Sequence, residues 1–148
     1  MNAIELLTAD HKKVKGLFEK AEDLEGGKLK AVFDQIKREL ETHTFIEETI
    51  FYPAVDKLQD MKEMVRESLK EHNKLKTDLK ELEKMAPDDE EFEEKFEELM
   101  ECVEHHAEEE EEGKMFPKLQ KLMSAAELEQ LGRELDAAKQ KAPTRKAG

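Results

Sequence analysis

A chain of 148 residues is long enough for one domain with one continuous core, and 43% charged residues, 5% aromatics, six Gly and four Pro suit long solvated helices better than a sheet. The formal net charge of -13 argues against nucleic acid and against anionic membrane surfaces as partners. No basic then apolar leader opens the chain and no apolar run could span a bilayer, so a cytoplasmic protein is expected, while Cys102, the one cysteine, excludes an intramolecular disulfide and a Cys-based zinc site.

The first helix is expected over about 2 to 25, opened by a capping box of Asn2 with Glu5 and ended at Gly26 and Gly27 by a left-handed turn. At the alternating three and four spacing of a bundle seam it presents Ile4, Leu7, His11, Val14, Phe18 and Ala21. The second, about 28 to 57, presents Leu29, Val32, Ile36, Leu40, His43, Glu47, Ile50 and Ala54, with Pro53 expected to kink or end it. The third, about 60 to 85, opens on Asp60 with Glu63 and presents Met61, Met64, Ser68, His72, Leu75, Leu79 and Leu82. Pro87 lies in the loop before the fourth, about 89 to 114, which opens on Asp88 with Glu91 and presents Phe92, Phe96, Leu99, Val103, His106, Glu110 and Gly113, with Pro117 beyond. Ser124 with Glu127 opens a short fifth helix. The reading is all-α, with one domain over residues 1–140 and a tail, 141–148, expected to be disordered because it has no apolar face to bury.

Each of the four main helices thus carries a histidine in its apolar stripe, and two carry a glutamate one turn later; only His105 lies off the stripe. Unpaired carboxylates and imidazoles are unfavourable in an apolar core, so six of them converging there need a common explanation. A metal cluster supplies one, since imidazole nitrogen and carboxylate oxygen are natural ligands and the cations offset the carboxylate charge. The i to i+4 spacing of His43 with Glu47, and of His106 with Glu110, puts each pair on one helical face. Most of the pentaglutamate 108–112 must face solvent, since a helix has one core face. The chain also repeats itself: DHKKVK at 10–15 resembles EHNKLK at 71–76, and HTFIEETIFYP at 43–53 resembles HAEEEEEGKMFP at 106–117. Each half supplies one lone histidine and one histidine-glutamate pair, which predicts two metals related by an approximate two-fold axis.

Across about residues 4 to 122, the order His11, His43 with Glu47, His72, His106 with Glu110, each pair followed by FYP or MFP, resembles the hemerythrin-like family of HHE cation-binding domains. The resemblance implies an up-down-up-down four-helix bundle. It also implies two iron ions bridged by carboxylates and a solvent-derived oxo or hydroxo group, with His11, His43, His72 and His106 as terminal ligands and Glu47 and Glu110 as bridges. Two features depart from the oxygen-carrying members. Lys76 stands where they have a further histidine, so one iron would lack a ligand. Their last carboxylate falls five residues after its histidine, which here is Glu111; the proline register agrees, and a π-bulge would reconcile it with the helical spacing that favours Glu110. Reversible binding or sensing of dioxygen is the function this implies. A di-iron enzyme acting on peroxide or nitric oxide, and an iron-buffering or iron-sensing protein, are the alternatives.

Overall fold

The structure, a computed structural model, describes residues 1–142, so residues 143–148 of the expected tail lie outside it. Among the described residues there is no strand. α1 spans Ala3–Ala21. The second rod runs without interruption through α2 (Gly26–Ile46), a π-helical turn π1 (Glu47–Phe51) and α3 (Tyr52–Asp56). α4 spans Lys62–Lys84, the fourth rod joins α5 (Glu90–Glu104), π2 (His105–Met115) and α6 (Phe116–Leu122), and α7 spans Ala125–Lys141. The first four rods form the up-down-up-down bundle, and α7 packs along α1 and π1.

Two of the expected caps form. Asn2 Oδ1 accepts the Glu5 amide at 2.8 Å while Glu5 returns to the Asn2 amide, and Ser124 pairs with Glu127 in the same way. The other two shift. Asp60 adopts a left-handed φ of 63° and breaks the chain, leaving Met61 as the cap of α4, and the α5 cap is Asp89, not Asp88, accepting from the Glu91 amide. Gly26 does take a left-handed φ of 58°, but it opens α2, since α1 has ended at Ala21. The fifth helix is 17 residues long, and it seats Gly132 on the N-terminal backbone, where a Cβ would fall 2.3 Å from the Met1 carbonyl oxygen.

Neither Pro53 nor Pro117 ends its rod. Each lies just past a π-helical turn, in which the Tyr52 amide donates to the Glu47 carbonyl and the Phe116 amide to that of Glu111, five residues back. A π turn holds an extra residue, so the buried stripe advances by one position beyond it. Phe51 and Val55 are accordingly buried while Ile50 and Ala54 are only half-buried, and beyond π2 Met115 and Phe116 fill the core.

The apolar core has two parts. One, around Leu7, Phe51, Val55, Met61 and Leu119, is closed by Leu131 and Leu135 of α7. The other packs Phe18, Phe33, Phe92 and Phe96 with Ile36 and Leu79. Between them lies a polar layer: along each rod the apolar stripe is interrupted at the same height, by His11, by His43 and Glu47, by His72, and by His106 and Glu111.

Candidate metal centre

The four predicted histidines and Glu47 meet in that layer, and Glu111 takes the place expected for Glu110. Glu111 is fully buried, whereas Glu110 points outward to Lys114 and His105. The wide π2 turn is the cause: with an extra residue per turn, the position five beyond His106, not four, returns to the core face.

The ring nitrogens converge on two neighbouring points. His11 Nε2 lies 3.0 Å from Glu111 Oε1, and His43 Nε2 lies 3.3 Å from Glu47 Oε2. On the other side His72 Nε2 is 3.0 Å from Glu47 Oε1, and His106 Nε2 is 3.4 Å from Glu111 Oε2. Two ligand sets result, His11, His43, Glu47 and Glu111 in one and Glu47, His72 and His106 in the other, each with its donor atoms within 4.8 Å of one another. Glu47 belongs to both sets, and the two oxygens of Glu111 reach toward both.

Each histidine is also held from behind. Nδ1 of His11, His43, His72 and His106 meets Glu112 at 2.6 Å, Asp10 at 3.0 Å, Glu48 at 2.8 Å and Glu71 at 2.6 Å. A carboxylate can only accept, so the Nδ1 proton is fixed there and the Nε2 lone pair of the neutral ring faces the cluster. These outer carboxylates follow the internal repeat. Asp10 and Glu71 precede the lone histidines and hold the second histidine of their own half; Glu48 and Glu112 follow the bridging glutamates and hold the lone histidine of the other half. Lys76 does not enter the core but pairs with Glu48 at 2.8 Å, and Lys139 of α7 reaches Asp10.

The halves differ at one place. Five residues beyond Glu47 stands Tyr52, and five beyond Glu111 stands Phe116. The buried Tyr52 hydroxyl donates to Glu111 Oε2 at 2.6 Å and sits 3.3 Å from His72 Nε2 and 3.2 Å from His106 Nε2. Phe116 instead stacks parallel to the His11 ring at 6.1 Å between centroids. A cavity of about 20 Å³, room for about one water-sized molecule, adjoins the histidine rings and is walled by Val14, Leu40, Leu75 and Val103.

The donor set fits cations. His72 Nε2 and His106 Nε2 lie 3.1 Å apart, and once both Nδ1 protons are committed two lone pairs oppose each other unless a proton or a metal lies between them. Among the described residues His43 Nε2 and Glu47 Oε2 are buried with no hydrogen-bond partner, although they face each other. The electrostatics say the same. Burial disfavours the charged ring of His43, yet Glu47 and Asp10 push it up to about 10. Against the same burial Glu111, Glu47 and Glu71 hold His106 well above its ordinary value, and the His43 charge holds Glu47 well below the usual carboxylate range. Burial first, then Glu111 and Glu47, push the Tyr52 hydroxyl well up. The layer demands positive charge, which divalent ions supply in place of protons.

Residues 2–119 match the family of the hemerythrin HHE cation binding domain. Among solved structures, a hemerythrin HHE cation binding domain-containing protein from Mycobacterium kansasii is 27% identical, covers 99% of this chain and 89% of its own, and superposes with a TM-score of 0.86. Among curated proteins, one named DNA nickase from Nostoc sp. is 29% identical over 149 residues, which is 100% of this chain and 42% of that protein. The chain thus spans less than half the length of that relative.

Proposed function

This chain belongs to the hemerythrin HHE cation-binding domain family, and from that premise we propose that its buried layer holds two iron ions and binds dioxygen or a closely related small ligand. His11 and His43 would hold one ion, His72 and His106 the other, with Glu47 and Glu111 shared between them. The observation that carries the reading is the convergence of four Nε2 atoms on two carboxylates, each ring fixed from behind by a further carboxylate. Iron in a nitrogen and oxygen ligand set supplies one-electron chemistry and open positions for a small ligand.

The chain's own residues set the terms of that binding. The cavity of about 20 Å³ admits molecules of one or two heavy atoms, and its aliphatic walls keep bulk water out. Tyr52 holds a proton at Glu111 Oε2, on the His72 and His106 side only, so the two halves are chemically unequal. That observation favours a second reading, an enzyme acting on peroxide, because a positioned O–H can deliver a proton to a departing oxygen. The nickase activity in the Nostoc relative's name belongs to a longer protein, and the net charge of -13 supports no nucleic-acid partner here.

The deciding experiment loads the protein with ferrous iron without air, counts iron per chain, and records the absorption spectrum through cycles of air and reductant. Two irons with a spectrum that cycles reversibly is the expected result. Sustained peroxide turnover with no reversible spectrum would move the conclusion to the enzyme, and fewer than two irons would remove the paired site.

A further inference from the structure

One residue before each of three core groups, His72, His106 and Glu111, stands a second potential ligand: Glu71, His105 and Glu110. The π2 turn that brings Glu111 under His106 brings Glu110 under His105 by the same five-residue step, on the opposite, outward face of the rod. α4 adds Glu71 from the neighbouring rod. His105 Nε2 lies 3.4 Å from Glu71 Oε2 and 3.5 Å from Glu110 Oε1, and the three donor atoms lie within 4.8 Å of one another.

His105 is oriented as the core histidines are. Its Nδ1 meets Glu109 Oε2 at 2.7 Å, which commits the proton there and leaves the Nε2 lone pair of the neutral ring facing two carboxylate oxygens. Three electron-rich atoms facing one another without a hydrogen bond among them is an arrangement that a cation relieves. Lys114 supplies part of the charge, at 3.3 Å from Glu110 Oε1, but it leaves Glu71 Oε2 and His105 Nε2 unanswered. His105 is 51% exposed and Glu71 and Glu110 are 18% and 19% exposed, so an ion could enter from solvent and keep water as its remaining ligands.

We propose that Glu71, His105 and Glu110 form a third metal site, an exchangeable surface site for a divalent transition-metal ion. Its imidazole and two carboxylates suit Zn(II) or Fe(II) better than Mg(II) or Ca(II), which prefer all-oxygen ligands. Glu71 is common to the surface site and the buried centre: one oxygen faces His105 and the other holds His106 Nδ1 at 2.6 Å. An ion arriving at the surface is therefore one carboxylate removed from a histidine of the core.

The test is equilibrium dialysis of the iron-loaded protein against Zn(II), with iron and zinc counted separately by elemental analysis, for wild type, His105→Ala and Glu110→Gln. Wild type should bind one zinc beyond its iron. Each variant should lose that zinc affinity by at least about tenfold, the scale on which even the outer partners of metal ligands act, while keeping the same iron count. His105→Ala removes an exposed side chain, and the unchanged iron count reports that the bundle is intact. No additional zinc in wild type, or zinc binding that both variants retain, overturns the surface site. A low iron count in wild type and variants alike would instead count against the buried pair, so the two readings fail separately.

Discussion

Glu111→Gln and Glu110→Gln should have opposite consequences for the buried centre, because only Glu111 combines full burial with reach toward both ligand sets. Glu111→Gln should reduce iron to one per chain or fewer, whereas Glu110→Gln should leave two, as counted by elemental analysis. The reverse pattern would restore α-helical spacing as the guide to the fourth rod. Tyr52→Phe tests the other asymmetry. It should keep two irons while lowering any peroxide turnover about a hundredfold, the lower end of what a positioned general acid contributes; unchanged turnover would leave Tyr52 a structural role only. At this scale the sequence is legible where periodicity speaks. Four histidines and Glu47 stand out because each replaces an apolar residue in a regular seam. Tyr52 and the outer carboxylates Asp10, Glu48, Glu71 and Glu112 sit beside the seam, where a polar residue looks like an ordinary solvated one. Their signal was the repeat itself, an acidic residue before each lone histidine and another after each bridging glutamate, but its meaning depends on how the rods face one another.

The π-helical turns decide the register of the second and fourth rods, and they explain why two halves with the same motif differ in spacing. π1 covers five residues from Glu47, while π2 covers eleven and includes the stretch between His106 and Glu111. That stretch holds one residue more than its counterpart between His43 and Glu47. A wide turn absorbs an inserted residue without rotating the helix beyond it, so removing one residue should let it tighten into α-helix with both ends in place. Deleting Glu108, which pairs with Lys15 at an exposed site, should therefore preserve two irons per chain and shift the melting temperature little, since exposed ion pairs contribute at most about 1 kcal/mol. If the deletion instead turned the downstream segment by about 100°, as in an unbroken α-helix, Met115 and Phe116 would leave the core and the protein would melt far lower. The same turns mark the limit of the sequence at this scale. Rods and seams arise from capping residues and a three and four pattern, whereas a π turn leaves that pattern intact on either side and displaces it by one. Pro53 and Pro117, six residues after Glu47 and Glu111, were the trace of it.

At the scale of the whole molecule, a layer of buried imidazoles and carboxylates divides the apolar core in two, so the bundle's stability should depend on what fills that layer. Without metal, these groups lose water and gain only one another, with His43 Nε2 and Glu47 Oε2 gaining no hydrogen bond. With metal, binding free energy becomes folding free energy, because the unfolded chain cannot gather ligands from four separate rods. At a hundredfold excess of free metal over its dissociation constant the gain is about 2.7 kcal/mol, which for a domain of this size corresponds to roughly 5–10 °C in melting temperature. Metal-free protein should lose amide-exchange protection first around 43–53 and 106–117, where the ligands and the wide turns coincide. Glu47→Gln separates the two contributions. A neutral amide cannot supply the charge shared between two ions, so the stabilisation by iron should fall to a small fraction of the wild-type shift. The same substitution removes a buried carboxylate, so the metal-free variant should melt at or above metal-free wild type. Four melting curves, wild type and Glu47→Gln each with and without iron, measure both effects. Equal stabilisation of the two proteins by iron would take Glu47 out of the ligand set, and with it the case for a carboxylate shared by two ions.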